Sequence, residues 1–166
     1  HMTNAVLPQM RSQKSGHIIN FSSIGGLTSF PTLGYYHATK YAVEGISESL
    51  AQEVAPFNIH VTLIEPSGFR TDWGGRSSVK TDTVIPELKE SYVGQMLNAV
   101  QRGAGQEAGD PAKAAQAVIS VVEANKPPLR LLLGEAAYKA ATYKFTNLLA
   151  SIEEWKETTI NADFKK

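Results

Sequence analysis

Apolar residues in this chain cluster in three short runs and in longer stretches of helical spacing. The runs are His17-Ile18-Ile19-Asn20-Phe21, His60-Val61-Thr62-Leu63-Ile64-Glu65 and Leu129 to Leu133. None alternates strictly between apolar and polar residues, which predicts strands covered on both faces, as in a parallel sheet. Gly16 and Ser22-Ser23 bound the first run, Pro66-Ser67-Gly68 stops the second, and Gly134 ends the third. Helices are predicted over Thr3 to Arg11, with Pro8 as a candidate kink, and over Tyr35 to Ala55, closed by Pro56 and Asn58. Three more are predicted over Pro86 to Arg102, from Asp110-Pro111 to about Asn125, and from Glu135 to about Glu157. Ile24 to Gly34 reads as loop, broken by Gly25, Gly26, Pro31 and Gly34, and Phe69 to Ile85 as a long polar loop.

Helices alternating with strands imply right-handed crossovers and a parallel sheet. The predicted fold class is α/β: an incomplete, doubly wound parallel sheet of about three strands with flanking helices. Three strands are few for such a fold. The first has no visible neighbour on one side, and a buried-type strand at an edge leaves backbone groups unpaired. The expectation is that part of the fold lies upstream of Thr3, with His1-Met2 read as a cloning scar.

Composition narrows the function classes. The 166 residues carry a formal net charge of zero and no cysteine. Thiol catalysis, disulfides and cysteine-held zinc are thereby excluded. The charges are scattered, so no basic stripe points to nucleic acid and no polybasic run to a membrane surface. His1, His17, His37 and His60 form no metal-binding spacing, so no metal site is predicted. No apolar run is long enough to span a bilayer, and a soluble cytoplasmic protein is the default expectation.

Candidate chemistry gathers at the carboxyl ends of the first two strands, the edge where open α/β sheets bind ligands. Tyr36 and Lys40 stand four residues apart on one helix face. A cation beside a phenol favours the phenolate, which suits the tyrosine to proton transfer near neutral pH. Taken alone, this pair is more often a half-buried tyrosine beside a solvated lysine. Ser23 presents a hydroxyl at the end of the first strand. Pro66-Ser67-Gly68-Phe69-Arg70-Thr71 forms a turn at the end of the second, where backbone N–H groups and a hydroxyl could meet an amide or a phosphate.

In order and spacing, Gly16 to Ser23, Tyr36-xxx-Lys40 and Glu65-Pro66 to Thr71 resemble the short-chain dehydrogenase/reductase family. Phe69 to Trp73, Gly109-Asp110-Pro111 and Pro128 to Gly134 look like downstream segments of bacterial members. The resemblance implies a Rossmann-like domain and an oxidoreductase using NAD or NADP on a small-molecule carbonyl or alcohol. It implies Tyr36 as the acid/base, Lys40 as the residue that tunes it and binds the nicotinamide ribose, and Ser23 as the group orienting the substrate oxygen. Pro66, Ser67, Gly68, Phe69 and Thr71 would border the nicotinamide, and Ile24 and Phe30 would line the substrate pocket. The matching helix commonly lies in a dimer interface, so the small residues Ala38, Ala42, Gly45 and Ser49 imply a homo-oligomer.

The sequence departs from the family in two places. Ser67 stands where glycine usually follows the proline. The family's glycine-rich turn, which sets the pyrophosphate on a helix amino terminus, has no counterpart, nor does its catalytic asparagine. Residues 3–166 are therefore expected to be the carboxyl-terminal part of one dehydrogenase domain, binding no cofactor by itself. Two readings follow: an oxidoreductase segment, or an inactive module that only self-associates.

Overall fold

The computed structural model describes residues 1–75, 77, 85–103 and 105–164; within that range nothing is stated of side chains 100–102. The part of the predicted polar loop at Arg76 and 78–84 lies outside the described residues. The elements run α1 (Met2–Gln13), β1 (Gly16–Phe21), α2 (Gly34–Val54), β2 (Ile59–Pro66), α3 (Tyr92–Arg102), α4 (Pro111–Val122), β3 (Arg130–Leu133), α5 (Glu135–Glu154) and α6 (Lys156–Ile160). Single 3₁₀ turns occupy Ile24–Gly26, Ala55–Phe57, Asp72–Gly74 and Pro86–Leu88.

The three strands form one parallel sheet in the order β1-β2-β3. Register pairs Ile18 with Val61, Phe21 with Ile64, and Ile64 with Leu131. This matches the expected α/β fold, with helices on both faces. On one face, Leu50 and Val54 of α2 and Leu7 and Met10 of α1 pack on Ile18, Ile59 and Val61. On the other, Val121, Val118 and Ala117 of α4 pack on Ile64, Ile19 and Leu133. Ala137 and Ala141 of α5 close against Ile24 and Leu27. Central β2 is buried almost throughout, as its apolar run predicts, whereas Phe21 at the end of edge strand β1 is 61% exposed.

Two predicted helices are interrupted. The stretch 86–102 is a 3₁₀ turn followed by α3, because Ser91 serves both sides of a break. Its hydroxyl donates to the Leu88 carbonyl and accepts from the Val93 N–H, so it caps the new helix rather than continuing the old. The last predicted helix divides at Trp155, whose ψ of 12° ends α5 before α6 begins. By contrast, Asp110 caps α4 as predicted, accepting from Ala112 and Lys113 ahead of the first helical turn. The α1 helix runs through Pro8.

Candidate active site

The carboxyl ends of β1 and β2 and the first turns of α2 enclose a cavity of about 750 Å³. It brings together every site residue the sequence predicts: Ser23, Ile24, Phe30, Tyr36, Lys40, Pro66, Ser67, Gly68, Phe69 and Thr71 all line it. Gly34 to Val54 form a helix because His37, Glu44, Ser47, Leu50 and Val54 recur at helical spacing on the buried side. That phase turns Tyr36 and Lys40 toward the strand ends. The Lys40 ammonium lies 5.8 Å from the Tyr36 ring centroid and donates to the Phe21 carbonyl at 3.1 Å. The Trp73 ring stands 5.4 Å from that of Tyr36.

Ser23 ends the extended segment and caps the turn Ile24–Gly26; its Oγ accepts from the Gly25 N–H at 3.0 Å. An oxygen already used as acceptor still has its own O–H to donate. Thr71 is placed alike, with Oγ1 accepting from the Trp73 N–H at 3.3 Å.

The turn after β2 is pinned from two sides. Ser67 donates its N–H to the Leu133 carbonyl at 2.9 Å. Gly109 donates to the Gly68 carbonyl and accepts from the Arg70 N–H, so Phe69 pairs with Gly109 as an isolated bridge. Gly134 has a φ of +96°, strained for any residue with a Cβ, and a Cβ there would also strike the Ser67 hydroxyl. The serine in place of the family's glycine is thus accommodated by the glycine between β3 and α5.

Three features went unread in the sequence. The first is His37, buried beside Tyr36. Phe30 donates its N–H to His37 Nε2 at 2.9 Å, and His37 Nδ1 lies 2.8 Å from the Gly25 carbonyl. A backbone N–H only donates and a carbonyl only accepts, so the ring carries its hydrogen on Nδ1. Both ring nitrogens are spent on holding the loop that carries Ile24 and Phe30. A Cβ on Gly25 would lie 2.9 Å from His37 Nδ1 and 3.0 Å from the Tyr36 ring, so only glycine permits this approach.

The second is a cluster of buried charge under α2. Arg130 Nε lies 3.1 Å from Glu44 and 3.4 Å from Glu65, and its Nη2 lies 2.7 Å from Glu48. Glu65 is fully buried, and its carboxyl oxygens have no hydrogen-bond partner among the described residues. Burial, and then the neighbouring Glu44 carboxylate, push its carboxyl up to about 8 against the pull of Arg130. The third is the Ser22 hydroxyl, buried without a partner beside Glu44. No local spacing announces these groups: Arg130 lies 86 residues from Glu44.

Among the described residues no group of three or more His, Asp or Glu could hold a metal, and no helix is long and apolar enough to cross a membrane. The geometry does fit a nicotinamide and its ribose. Lys40 keeps two N–H groups beyond the one given to Phe21, and the Thr71 and Ser23 hydroxyls keep theirs.

A parallel sheet with helices on both faces and a cavity at its carboxyl edge defines an open α/β protein of the nucleotide-cofactor type. The family profile described as short chain dehydrogenase matches residues 1–82. "Oxidoreductase BOA17" of Botryotinia fuckeliana is 43% identical over 160 residues, covering 96% of this chain and 58% of that protein. A short-chain dehydrogenase structure from Streptomyces avermitilis superposes with a TM-score of 0.85 at 40% identity, covering 97% of this chain and 57% of the other. A short chain dehydrogenase/reductase from Burkholderia phymatum, solved in complex with NAD, shares the fold at 19% identity, with a TM-score of 0.69 over 89% of this chain and 53% of its own. This chain belongs to the short-chain dehydrogenase/reductase family. It spans little more than half the length of these relatives.

Proposed function

We propose that this chain supplies the proton-transfer and substrate-orienting part of an NAD(P)-dependent oxidoreductase acting on a carbonyl or alcohol. The observation that carries the reading is the convergence of Ser23, Tyr36, Lys40 and the Pro66 to Thr71 turn on one cavity. NAD(P), when bound, supplies or accepts the hydride. Ser23 donates its O–H to the substrate oxygen and holds it beside Tyr36. The Tyr36 hydroxyl gives a proton to that oxygen in reduction and takes one in oxidation. Lys40 sets a positive charge beside the ring, which stabilises negative charge on the phenol oxygen when the proton leaves, and its free N–H groups face the ribose. Ser67, Gly68, Phe69 and Thr71 would flank the nicotinamide, with Pro66 fixing the turn.

In protein that carries both this chain and the family's glycine-rich half, Tyr36→Phe is expected to lower turnover at least about 100-fold with the fold intact, since positioned acid–base groups contribute about 10²–10⁴. Near-normal turnover would overturn the assignment. No residue of this sequence is assigned to the pyrophosphate. Calorimetric titration of NAD(P) into this chain by itself is accordingly expected to show weak binding or none, and micromolar binding would contradict that.

A second reading concerns association. The outer face of α2 exposes Tyr35 at 94% together with Ala38, Ala42, Gly45, Ile46 and Ser49. A Cβ on Gly45 would meet nothing within 4 Å, so another helix could approach closely. Such a face favours a homo-oligomer packed through α2; light scattering that gave a monomer would overturn this reading.

A further inference from the structure

We propose that the cavity takes an uncharged ketone or secondary alcohol whose single oxygen is flanked by apolar groups of aryl or medium-chain alkyl size. The proposal rests on the oxidoreductase reading and names the substrate class for that site.

Ile24, Phe30, Pro31, Leu33, Trp73 and Met96, none of which can ionise, line the cavity together with Tyr36. The titratable ring of His37 offers a substrate nothing, because Gly25 and Phe30 occupy both of its nitrogens. With Ser67 and Thr71 assigned to the nicotinamide side, the side-chain hydroxyls left for a substrate oxygen are those of Tyr36 and Ser23. A sugar or other polyol would leave its remaining hydroxyls unpaired against Ile24, Phe30 and Leu33, a costly arrangement in an apolar wall.

Charge points the same way. Among the described lining residues the ionisable groups besides Tyr36 and His37 are Lys40 and Glu107. The Lys40 ammonium gives one N–H to the Phe21 carbonyl, and the two that remain are those assigned to the ribose. The Glu107 carboxylate accepts from the Gly105 N–H, while Arg70 turns its Nε to the Glu107 backbone carbonyl instead of the carboxylate. A carboxylate or phosphate on the substrate would meet this negative group and no spare described cation. Trp73 is 48% exposed and lies against Tyr36, which makes it an apolar rim over which an alkyl chain or aromatic ring can lie.

The test uses this chain carrying Trp155→Phe, which leaves Trp73 as its one tryptophan and reads binding at the cavity. The probes are 2-alkanones of increasing length and oxo-acids of matched length with a terminal carboxylate, titrated without cofactor in a Lys40→Met background, which removes the cation otherwise assigned to the ribose. Affinity for the 2-alkanones is expected to rise about three- to fourfold per added methylene until the wall is covered. The matched oxo-acids are expected to bind at least about tenfold more weakly, since a charge buried without a partner is disfavoured. Oxo-acids that bind as tightly as the ketones, affinity independent of chain length, or no response at Trp73 would each overturn the proposal. Because binding is read without turnover, the two readings fail separately. A length series that holds while Tyr36→Phe leaves turnover unchanged keeps the substrate class and removes the oxidoreductase. Turnover confined to anionic ketones does the reverse.

Discussion

The cavity beside Tyr36 and the charge cluster under α2 share one helix: Glu44 follows Lys40 by a single turn. Both are polar sites in an apolar frame, yet their unspent hydrogen-bonding capacity differs in kind. The cavity has spare donors, the O–H groups of Ser23 and Thr71 and two N–H groups of Lys40, all facing open space. The cluster has spare acceptors on Glu44 and Glu65, two buried carboxylates beside one guanidinium, with Glu48 at its exposed edge. Spare donors at an open edge invite a ligand. Spare acceptors in a closed one hold a proton. The cluster ties α2 to β2 and β3, and so fixes the helix that bears Tyr36 against the strand that continues into Pro66.

If this contrast is right, substitutions in the two regions fail in different ways. Arg130→Met leaves the Glu44 carboxylate buried without its cation, and removal of one partner of a buried pair typically costs about 3–5 kcal/mol. Urea unfolding should show that loss at neutral pH and a smaller one in acid, where the carboxyls are neutral. A loss that did not change with pH would mean that packing, not charge, holds the cluster.

Glu65→Gln probes the held proton. Between the ordinary glutamate value of 4.5 and about 8, the folded chain keeps a proton that the unfolded chain releases. Stability should therefore fall as pH rises through that window and level off above it, by at most about 1.4 kcal/mol per pH unit. The glutamine variant should flatten this slope. An unchanged slope would assign the pH dependence to other groups.

On the cavity side, Gly25→Ala is expected to cost about 1–3 kcal/mol, as overpacking does, because its Cβ would press on His37 and Tyr36. Turnover should fall with it. Ser22→Ala should have the smallest effect, from neutral to a gain of at most about 1 kcal/mol, since it removes a buried hydroxyl with no partner. A clear loss would reveal a hydrogen bond made by that hydroxyl.

The same contrast explains what could be read in the sequence. Tyr36 and Lys40 were legible because four residues is a helical spacing, and β1 and β2 because a covered parallel strand is an unbroken apolar run. Ser23 and the turn after Pro66 were legible as ends of those runs. Arg130, Glu44 and Glu65 were not, because α2, β2 and β3 meet only in the folded sheet and no local period joins them. His37 stood out only as a histidine outside any metal-binding spacing, since its partners are backbone atoms of a loop whose path the sequence does not reveal. The break at Ser91 was missed because its hydroxyl competes with the helical backbone, a contest that apolar spacing does not register.

The Phe69–Gly109 bridge closes the long excursion over residues 70–108 at its base. With its two ends held side by side, the stretch between them can lengthen, shorten or change composition at little entropic cost, because closure entropy grows only with the logarithm of loop length. The frame carrying Tyr36 and Lys40 need not respond. The sheet beneath therefore places little demand on the length of this stretch, and a graft between Trp73 and Ala108 would keep Thr71 and Trp73 at the cavity.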